Sequence, residues 1–366
     1  MSEIGIGIIG GGYMGKAHAV AFGAVKAVFD TALTPRLEMV CATSPESAEK
    51  YRNTYGFARA TDDWRVLVDD PKVEAVVIAS PQATHREIAL AAFAAGKPVL
   101  CEKPLGTSMD DSRAMVDAAT QAGVANMVGF NYIRTPASQY ARQLLAEGRI
   151  GDVIWFRGEM TEDFFADPAI GGWRAQGRAN GCMGDLAPHM INAAHALMGP
   201  IKSLCAVTET VHKTRDGDAV TNDDLAQMMC RFASGAQGHM FFSRVAMGRK
   251  MGYAYEIHGT KGHIRFDQED QNAIHLYLAE GPEAERGFRK ILTGPNHPDY
   301  LPFCQGPGHG TGYNDQIIIE AKDFLTAIAT KTPVWPTFQE GLEVNRIVAA
   351  THASSERNAW VQVADF

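Results

Sequence analysis

Six residues near the start of the chain, Gly10-Gly11-Gly12-Tyr13-Met14-Gly15, restrict what it can fold into more than any other feature. They follow the apolar run Ile4–Ile9 and open a stretch with helical spacing, the setting in which a G-x-G-x-x-G pattern holds a dinucleotide. Gly10 permits the tight turn after the strand. Gly12 lets the backbone approach a pyrophosphate, and Gly15 allows helix and strand to pack closely, with the helix N-terminus facing the anion. Tyr13 and Met14 complete the expected contact surface. Without its neighbours the hexapeptide is equally a glycine-rich turn that holds no ligand.

The rest of the first third repeats the theme that this loop begins. Short β-branched runs at Ile4–Ile9, Leu37–Cys41, Val73–Ala79, Pro98–Cys101 and Val124–Val128 alternate with helical segments, among them Ala83–Ala95 and Ser108–Ala122, each closed by a glycine. A doubly wound parallel sheet with helical crossovers, an α/β domain, is the simplest architecture for that order. A helix over Pro136–Glu147 marks where the alternation ends. Beyond Gly151 longer alternating runs take over: Val153–Glu159, Ser203–Val211, Leu225–Phe232, Gly238–Val245, Tyr253–His258, His263–Asp267 and Ile274–Leu278. They predict a large, mainly antiparallel open sheet. Helices are expected at Gly184–Met198, Gln316–Thr330 and Phe338–Arg357, and Gly281–Gly312 reads as a polar, Gly/Pro-rich loop. At 366 residues the chain exceeds what one core supports, so the division expected is an α/β dinucleotide-binding domain over 1–128 and an α+β domain over 129–366.

Ligands of an open parallel sheet bind at the carboxyl ends of its strands, and three such ends carry polar residues. The second strand runs into Val40-Cys41-Ala42-Thr43-Ser44, with no acid to accept from ribose hydroxyls. Thr43 and Ser44 are therefore the ribose-side candidates, with Lys50 and Arg52 nearby for a 2′-phosphate; the plainer reading is that they cap the helix beginning near Pro45. NAD and NADP both stay open on this ground. Ser80-Pro81 follows the third strand and Cys101-Glu102-Lys103-Pro104 the fourth. Lys103, stiffened by Pro104, is placed to donate to a substrate hydroxyl or a developing alkoxide, or else is a loop lysine in a salt bridge.

Further on, Asp185 and His189 stand four residues apart, on one face if Gly184–Met198 is a helix. Imidazole titrates near pH ~6.5, so its neutral form can take a hydroxyl proton as hydride departs. Pro188 falls in the first turn, where a helix tolerates it. The plainer alternative makes Asp185 the helix N-cap and His189 a buried core residue.

The Gly10–Gly15 loop, the Glu102-Lys103-Pro104 turn and the Asp185-x-x-x-His189 segment, in that order and at those separations, resemble the glucose-fructose oxidoreductase/inositol dehydrogenase/rhizopine catabolism (Gfo/Idh/MocA) family. The resemblance spans nearly the whole chain. It implies a Rossmann domain followed by an α+β domain whose open sheet pairs with that of another subunit, in a homodimer or homotetramer. Lys103 is implied as the substrate-orienting lysine, Asp185 as the active-site acid and His189 as the general acid/base. The stretches 129–137, Trp173-Arg174 and 306–313 are similar to a branch acting on inositols, L-glucose and levoglucosan. By that likeness Arg174 and His309 contact substrate hydroxyls, Tyr132 lines the same pocket, and Asn131 adds a polar contact. The implied cofactor set is Gly10, Gly12, Tyr13, Met14, Gly15, Thr43, Ser44, Ser80, Pro81, His85, Glu102 and Lys103, for NAD or NADP. Asn192 departs from the pattern, standing where an Asp often follows the histidine.

The activity expected is NAD(P)-dependent oxidation of a secondary hydroxyl on a cyclic polyol or sugar. Its rivals are an NADPH-dependent reductase of a keto-sugar or aldose and a dinucleotide-sensing regulatory protein without turnover. A formal charge of −8 with no Lys/Arg cluster gives nothing to neutralise a phosphate backbone, so nucleic acid is not an expected partner. No apolar run approaches the ~20 residues of a membrane span, and the start lacks a basic leader. The six cysteines are scattered and read as reduced, which together places the protein in the cytoplasm. No metal is expected, because neither cysteines nor histidines show ligand spacing.

Overall fold

The computed structural model describes residues 2–366. The amino-terminal part alternates strand and helix: β1 (Ser2–Ile9), α1 (Tyr13–Val28), β2 (Leu33–Cys41), α2 (Pro45–Tyr55), β3 (Arg59–Thr61), α3 (Trp64–Asp69), β4 (Ala75–Ile78), α4 (His85–Ala94), β5 (Val99–Glu102), α5 (Met109–Ala122) and β6 (Asn126–Gly129). Then come α6 (Pro136–Ala146), β7 (Val153–Thr161), α7 (Cys182–Asp185), α8 (Ala187–Met198), β8 (Ile201–Glu209), and a short pair, β9 (Thr214–Arg215) and β10 (Asp218–Ala219). Five strands follow: β11 (Leu225–Phe232), β12 (Gln237–Ser243), β13 (Ala254–Gly259), β14 (Gly262–Asp267) and β15 (Ala273–Leu278). The chain ends with β16 (Arg289–Leu292), α9 (Tyr313–Thr330), α10 (Phe338–Arg357) and β17 (Val361–Gln362). Among the described residues no helix is long and apolar enough to cross a membrane.

Packing divides the chain into two units, one made of residues through Asn131 together with Gly312–Asn345, the other of Tyr132–Thr311 with Arg346–Phe366. This differs from a single cut at 128/129. The reason is α9, expected in the second domain, which lies along α1 with Phe324 edge-on to Phe22 at 6.4 Å and Tyr313 stacked on Tyr13 at 5.9 Å. The first turns of α10 follow it, Phe338 meeting Phe93 at 5.4 Å.

In the first unit six parallel strands are ordered β3-β2-β1-β4-β5-β6, the doubly wound arrangement. Helices cover both faces of such a sheet, so its strands need no polar side, and β4 reads Ala-Val-Val-Ile with all four side chains buried. The second unit holds a nine-stranded sheet in the order β16-β15-β14-β13-β7-β12-β11-β8-β17. Only the β7–β12 pair is parallel, and the other ladders are antiparallel. One face is core, where Tyr255 stacks on Phe266 at 5.1 Å and Phe156 meets Phe232 edge-on at 6.0 Å. The other face is open: along β11 buried residues alternate with exposed Gln227, Met229 and Arg231. All seven expected strands are present. β16 lies inside the stretch expected to be loop, recruited because it pairs with β15, while β3, β9, β10 and β17 are too short for periodicity to reveal.

Candidate active site

The order of the parallel sheet reverses between β1 and β4, and ligands bind beside the carboxyl ends of strands at such a point. Gly10, directly after β1, has φ +105°, and its N–H donates to the Cys41 carbonyl at 2.9 Å. A Cβ on Gly15 would stand 1.8 Å from the Gly10 carbonyl oxygen, so the first turn of α1 is pressed onto the loop itself. Gly12 is different. It is the N-cap of α1, and nothing lies within 4 Å of where its Cβ would be, so the space above it is open. With no acidic residue in its first turn, this 16-residue helix presents an uncompensated positive end there. Tyr13 is 72% exposed beside Tyr313, whose hydroxyl meets the Met14 sulfur at 3.3 Å. These are the features a pyrophosphate site requires.

At the end of β2, the Ser44 hydroxyl accepts from the Ser47 N–H at 3.2 Å and caps α2, while Thr43 remains exposed. At the end of β4, the Ser80 hydroxyl meets that of Thr84 at 2.7 Å, and Pro81 is exposed. Two residues expected in the cofactor set are buried among protein partners. His85 is 1% exposed, with Nδ1 at 3.1 Å from the Pro104 carbonyl and Nε2 at 3.0 Å from that of Ser80, clasping the loops after β4 and β5. Burial pushes its pKa down, against the pull of those carbonyls and the Glu102 charge. Glu102 is 6% exposed and receives His18 Nε2 at 2.7 Å. Half-buried Lys103 leads through a cis peptide into Pro104, and the Asn345 amide secures the next residues by donating to the Gly106 carbonyl at 2.9 Å. Asn131, expected to touch substrate, is 3% exposed and donates to Gln316 at 2.9 Å within the first unit.

In the second unit Asp185 and His189 do not share an uninterrupted helix. α7 ends at Asp185, Leu186 intervenes, and α8 begins at Ala187. Pro188 is the cause, because it has no N–H for the Gly184 carbonyl and its ring displaces that carbonyl. The His189 N–H then reaches back only three residues, to Leu186 at 3.3 Å. Asp185 is thus not the N-cap of α8, a place Leu186 takes. Asp185 is partly exposed and His189 is 7% exposed. The Tyr132 ring meets His189 edge-on at 4.6 Å and is backed at 5.3 Å by fully buried Tyr253. Tyr132 therefore does adjoin His189. The start of α7 is clamped by Asp223, whose carbonyl accepts from Cys182 N at 2.9 Å and whose carboxylate accepts from Met183 N at 2.7 Å.

A buried ionic cluster fixes the segment that carries Arg174. Asp224 accepts from Arg244 Nε at 2.9 Å and from Arg215 at 3.2 Å, and its other oxygen takes the Val211 and His212 N–H groups at 2.9 and 3.0 Å. Burial raises the Asp224 pKa, but the backbone donors and the two arginines outweigh it and hold it below the usual range. Both guanidiniums lie over the Phe165 ring, at 3.9 and 4.3 Å. Arg215 donates onward to the Asp167 carbonyl at 3.0 Å, and Arg244 to those of Arg174 and Asn180, both at 2.9 Å. The Arg174 side chain itself is exposed, stacked on Trp173 at 4.3 Å. His309 is exposed too, in a loop organised by buried Tyr300, whose hydroxyl accepts from His309 N and Gly310 N at 3.1 Å and donates to the Gly306 carbonyl at 2.9 Å. Sequence reading passes over Asp224, Arg215, Arg244 and Tyr300; the one local signal is the polar run Asn222-Asp223-Asp224 before an apolar strand.

Strand register also gathers Glu256, His258 and His263, with one donor atom each within 4.8 Å, a grouping that ligand spacing does not reveal. The two imidazoles lie 3.8 Å apart, tilted by 35°, and Glu256 already pairs with Arg265 at 3.2 Å.

Residues 4–130 match a family model described as oxidoreductase family, NAD-binding Rossmann fold, and residues 138–265 match one described as GFO/IDH/MocA C-terminal domain. Levoglucosan dehydrogenase of Pseudarthrobacter phenanthrenivorans is 38% identical over 385 aligned residues, covering 99% of each chain. Inositol 2-dehydrogenase of Rhizobium meliloti is 27% identical, over 98% of each. A solved structure of levoglucosan dehydrogenase in complex with NADH and levoglucosan superposes with a TM-score of 0.96 at 38% identity, over 99% of both chains.

Proposed function

Because the chain belongs to the Gfo/Idh/MocA family of NAD-binding oxidoreductases, we propose that it oxidises a secondary hydroxyl of a cyclic sugar, levoglucosan or a close relative, with His189 as general base. The family assignment makes it a sugar or polyol dehydrogenase. The choice of levoglucosan rests on 38% identity from end to end with an enzyme of that name. The choice of His189 rests on its setting, a 7%-exposed imidazole held edge-on by Tyr132, four residues beyond the partly exposed Asp185 in sequence.

The first unit fits a dinucleotide through the open space over Gly12 and the helix N-terminus behind it. Bound NAD⁺ supplies the hydride acceptor at nicotinamide C4. His189 takes the hydroxyl proton, and Tyr132 restricts the rotation of its ring. Lys103 donates to the reacting oxygen and steadies negative charge as it develops there. Asp185 accepts from a substrate hydroxyl and fixes its direction. Arg174 and His309, both exposed on loops with fixed backbones, serve as further hydroxyl contacts. NAD is preferred to NADP in this reading, since the relative's solved complex contains NADH.

The deciding measurement is the appearance of reduced nicotinamide at 340 nm, with NAD⁺ and NADP⁺ separately, against levoglucosan, L-glucose, scyllo-inositol and myo-inositol. Turnover of levoglucosan with NAD⁺ is the expected result. Tight NADH binding without turnover of any of them would favour the dinucleotide sensor instead. Gly12→Ala tests the cofactor half on its own: the new methyl meets no protein atom, so thermal stability should hold while NADH affinity falls about tenfold or more, roughly 1.4 kcal/mol. Fluorescence titration reads it, and unchanged affinity would move the pyrophosphate elsewhere. The open sheet face, where Val207 is 60% and Met229 52% exposed, is proposed to pair with a second copy, and light scattering should return a dimer or tetramer.

A further inference from the structure

Lys103 sits in a turn whose backbone is held from two sides by buried histidines. From α4, His85 reaches the carbonyls of Pro104 and Leu105, at 3.1 and 3.3 Å. From α1, His18 reaches Glu102 Oε1 at 2.7 Å, while Glu102 Oε2 accepts the N–H of Lys103 itself at 3.3 Å. His18 is fully buried, three residues beyond Gly15 on the helix that opens at the dinucleotide loop. Room for the carboxylate is reserved by Gly129 at the end of β6, where a Cβ would stand 2.9 Å from Glu102 Oε1. One carboxylate thus ties the helix facing the cofactor to the residue assigned to the substrate oxygen.

We propose that His18 and Glu102 form a positioning pair for Lys103, setting its backbone relative to α1. The inference rests on the role given to Lys103 above. A buried ion pair adds little net stability over a well-packed apolar alternative, but removing one partner leaves the other charge stranded. What the pair supplies is placement, and a misplacement of about 1 Å at a reacting centre costs on the order of a hundredfold in rate. Burial lowers the His18 pKa, yet the hydrogen bond and charge of Glu102, with the charge of Glu320, leave it raised.

Two amides that differ only in reach test this. His18→Gln can carry an N–H donor to the position of Nε2, and His18→Asn falls one methylene short. His18→Asn should lower kcat by roughly tenfold to a hundredfold with little change in NADH affinity, and His18→Gln should restore most of it. In the Lys103→Ala background His18→Asn should cost nothing further, because its effect passes through that lysine. Acetylation of Lys103, followed by mass spectrometry without substrate, should change rate in His18→Asn and not in His18→Gln. Equal behaviour of the two amides, multiplying losses in the double variant, or an unaltered labelling rate would each defeat the positioning role. Full turnover by Lys103→Ala alone would instead remove the role of the lysine, whatever His18 does.

Discussion

His189→Ala should lower kcat by between ~10² and ~10⁴ and leave NADH affinity near that of the parent protein. The size is that of general-base catalysis, since the variant has no group to receive the hydroxyl proton and must release it to water. Cofactor affinity should survive because the glycine loop carries the dinucleotide while His189 serves the hydroxyl proton. Truncation also empties the space against the Tyr132 ring, 4.6 Å from the imidazole, so some stability goes with it. His189→Gln separates the two effects: it fills most of that volume yet accepts no proton at neutral pH. It should be about as slow as His189→Ala with a melting temperature closer to the parent. Near-normal kcat in either variant, measured on the substrate the 340 nm screen identifies, would end the assignment of His189 as base.

Asp224→Ala should lose about 3–5 kcal/mol of unfolding free energy, the usual cost of stranding buried charge. Arg215 and Arg244 have side chains 0% and 2% exposed, and Asp224 is the carboxylate both reach. Removing it leaves two guanidiniums over the Phe165 ring without their counter-ion, and orphans the Val211 and His212 N–H groups as well. Asp224→Asn should fall between, since an amide oxygen still accepts. Urea denaturation followed by circular dichroism measures the loss. Hydrogen exchange should quicken across 167–180, whose carbonyls at Asp167, Arg174 and Asn180 the arginines hold. If activity falls along with protection there, Arg174 depends on this cluster for its place. A denaturation midpoint equal to the parent's would mean the cluster contributes nothing net.

The parts of this protein legible in its sequence are those governed by neighbours within a turn or a pleat. Ile4–Ile9 followed by three glycines defines a strand and a phosphate loop, and the strand alternation beyond Gly151 follows from one wet and one dry sheet face. The break at Leu186 is a local effect of Pro188 that the tolerance of proline in a first turn does not foresee. Other features depend on where distant segments return. His18 meets Glu102 across 84 positions, and Arg244 meets Asp224 across 20, with a strand pair between. α9 reads as a helix by its spacing, but its packing on α1, through Phe22 with Phe324 and Tyr13 with Tyr313, decides which unit it joins. Helical and pleated periods say that a face is apolar, not which other face will cover it. That choice is made when whole sheets and helices bury their surfaces at once, and the burial of His85, Glu102 and Asn131 is its consequence at the residues that a sequence alone would send to the ligand.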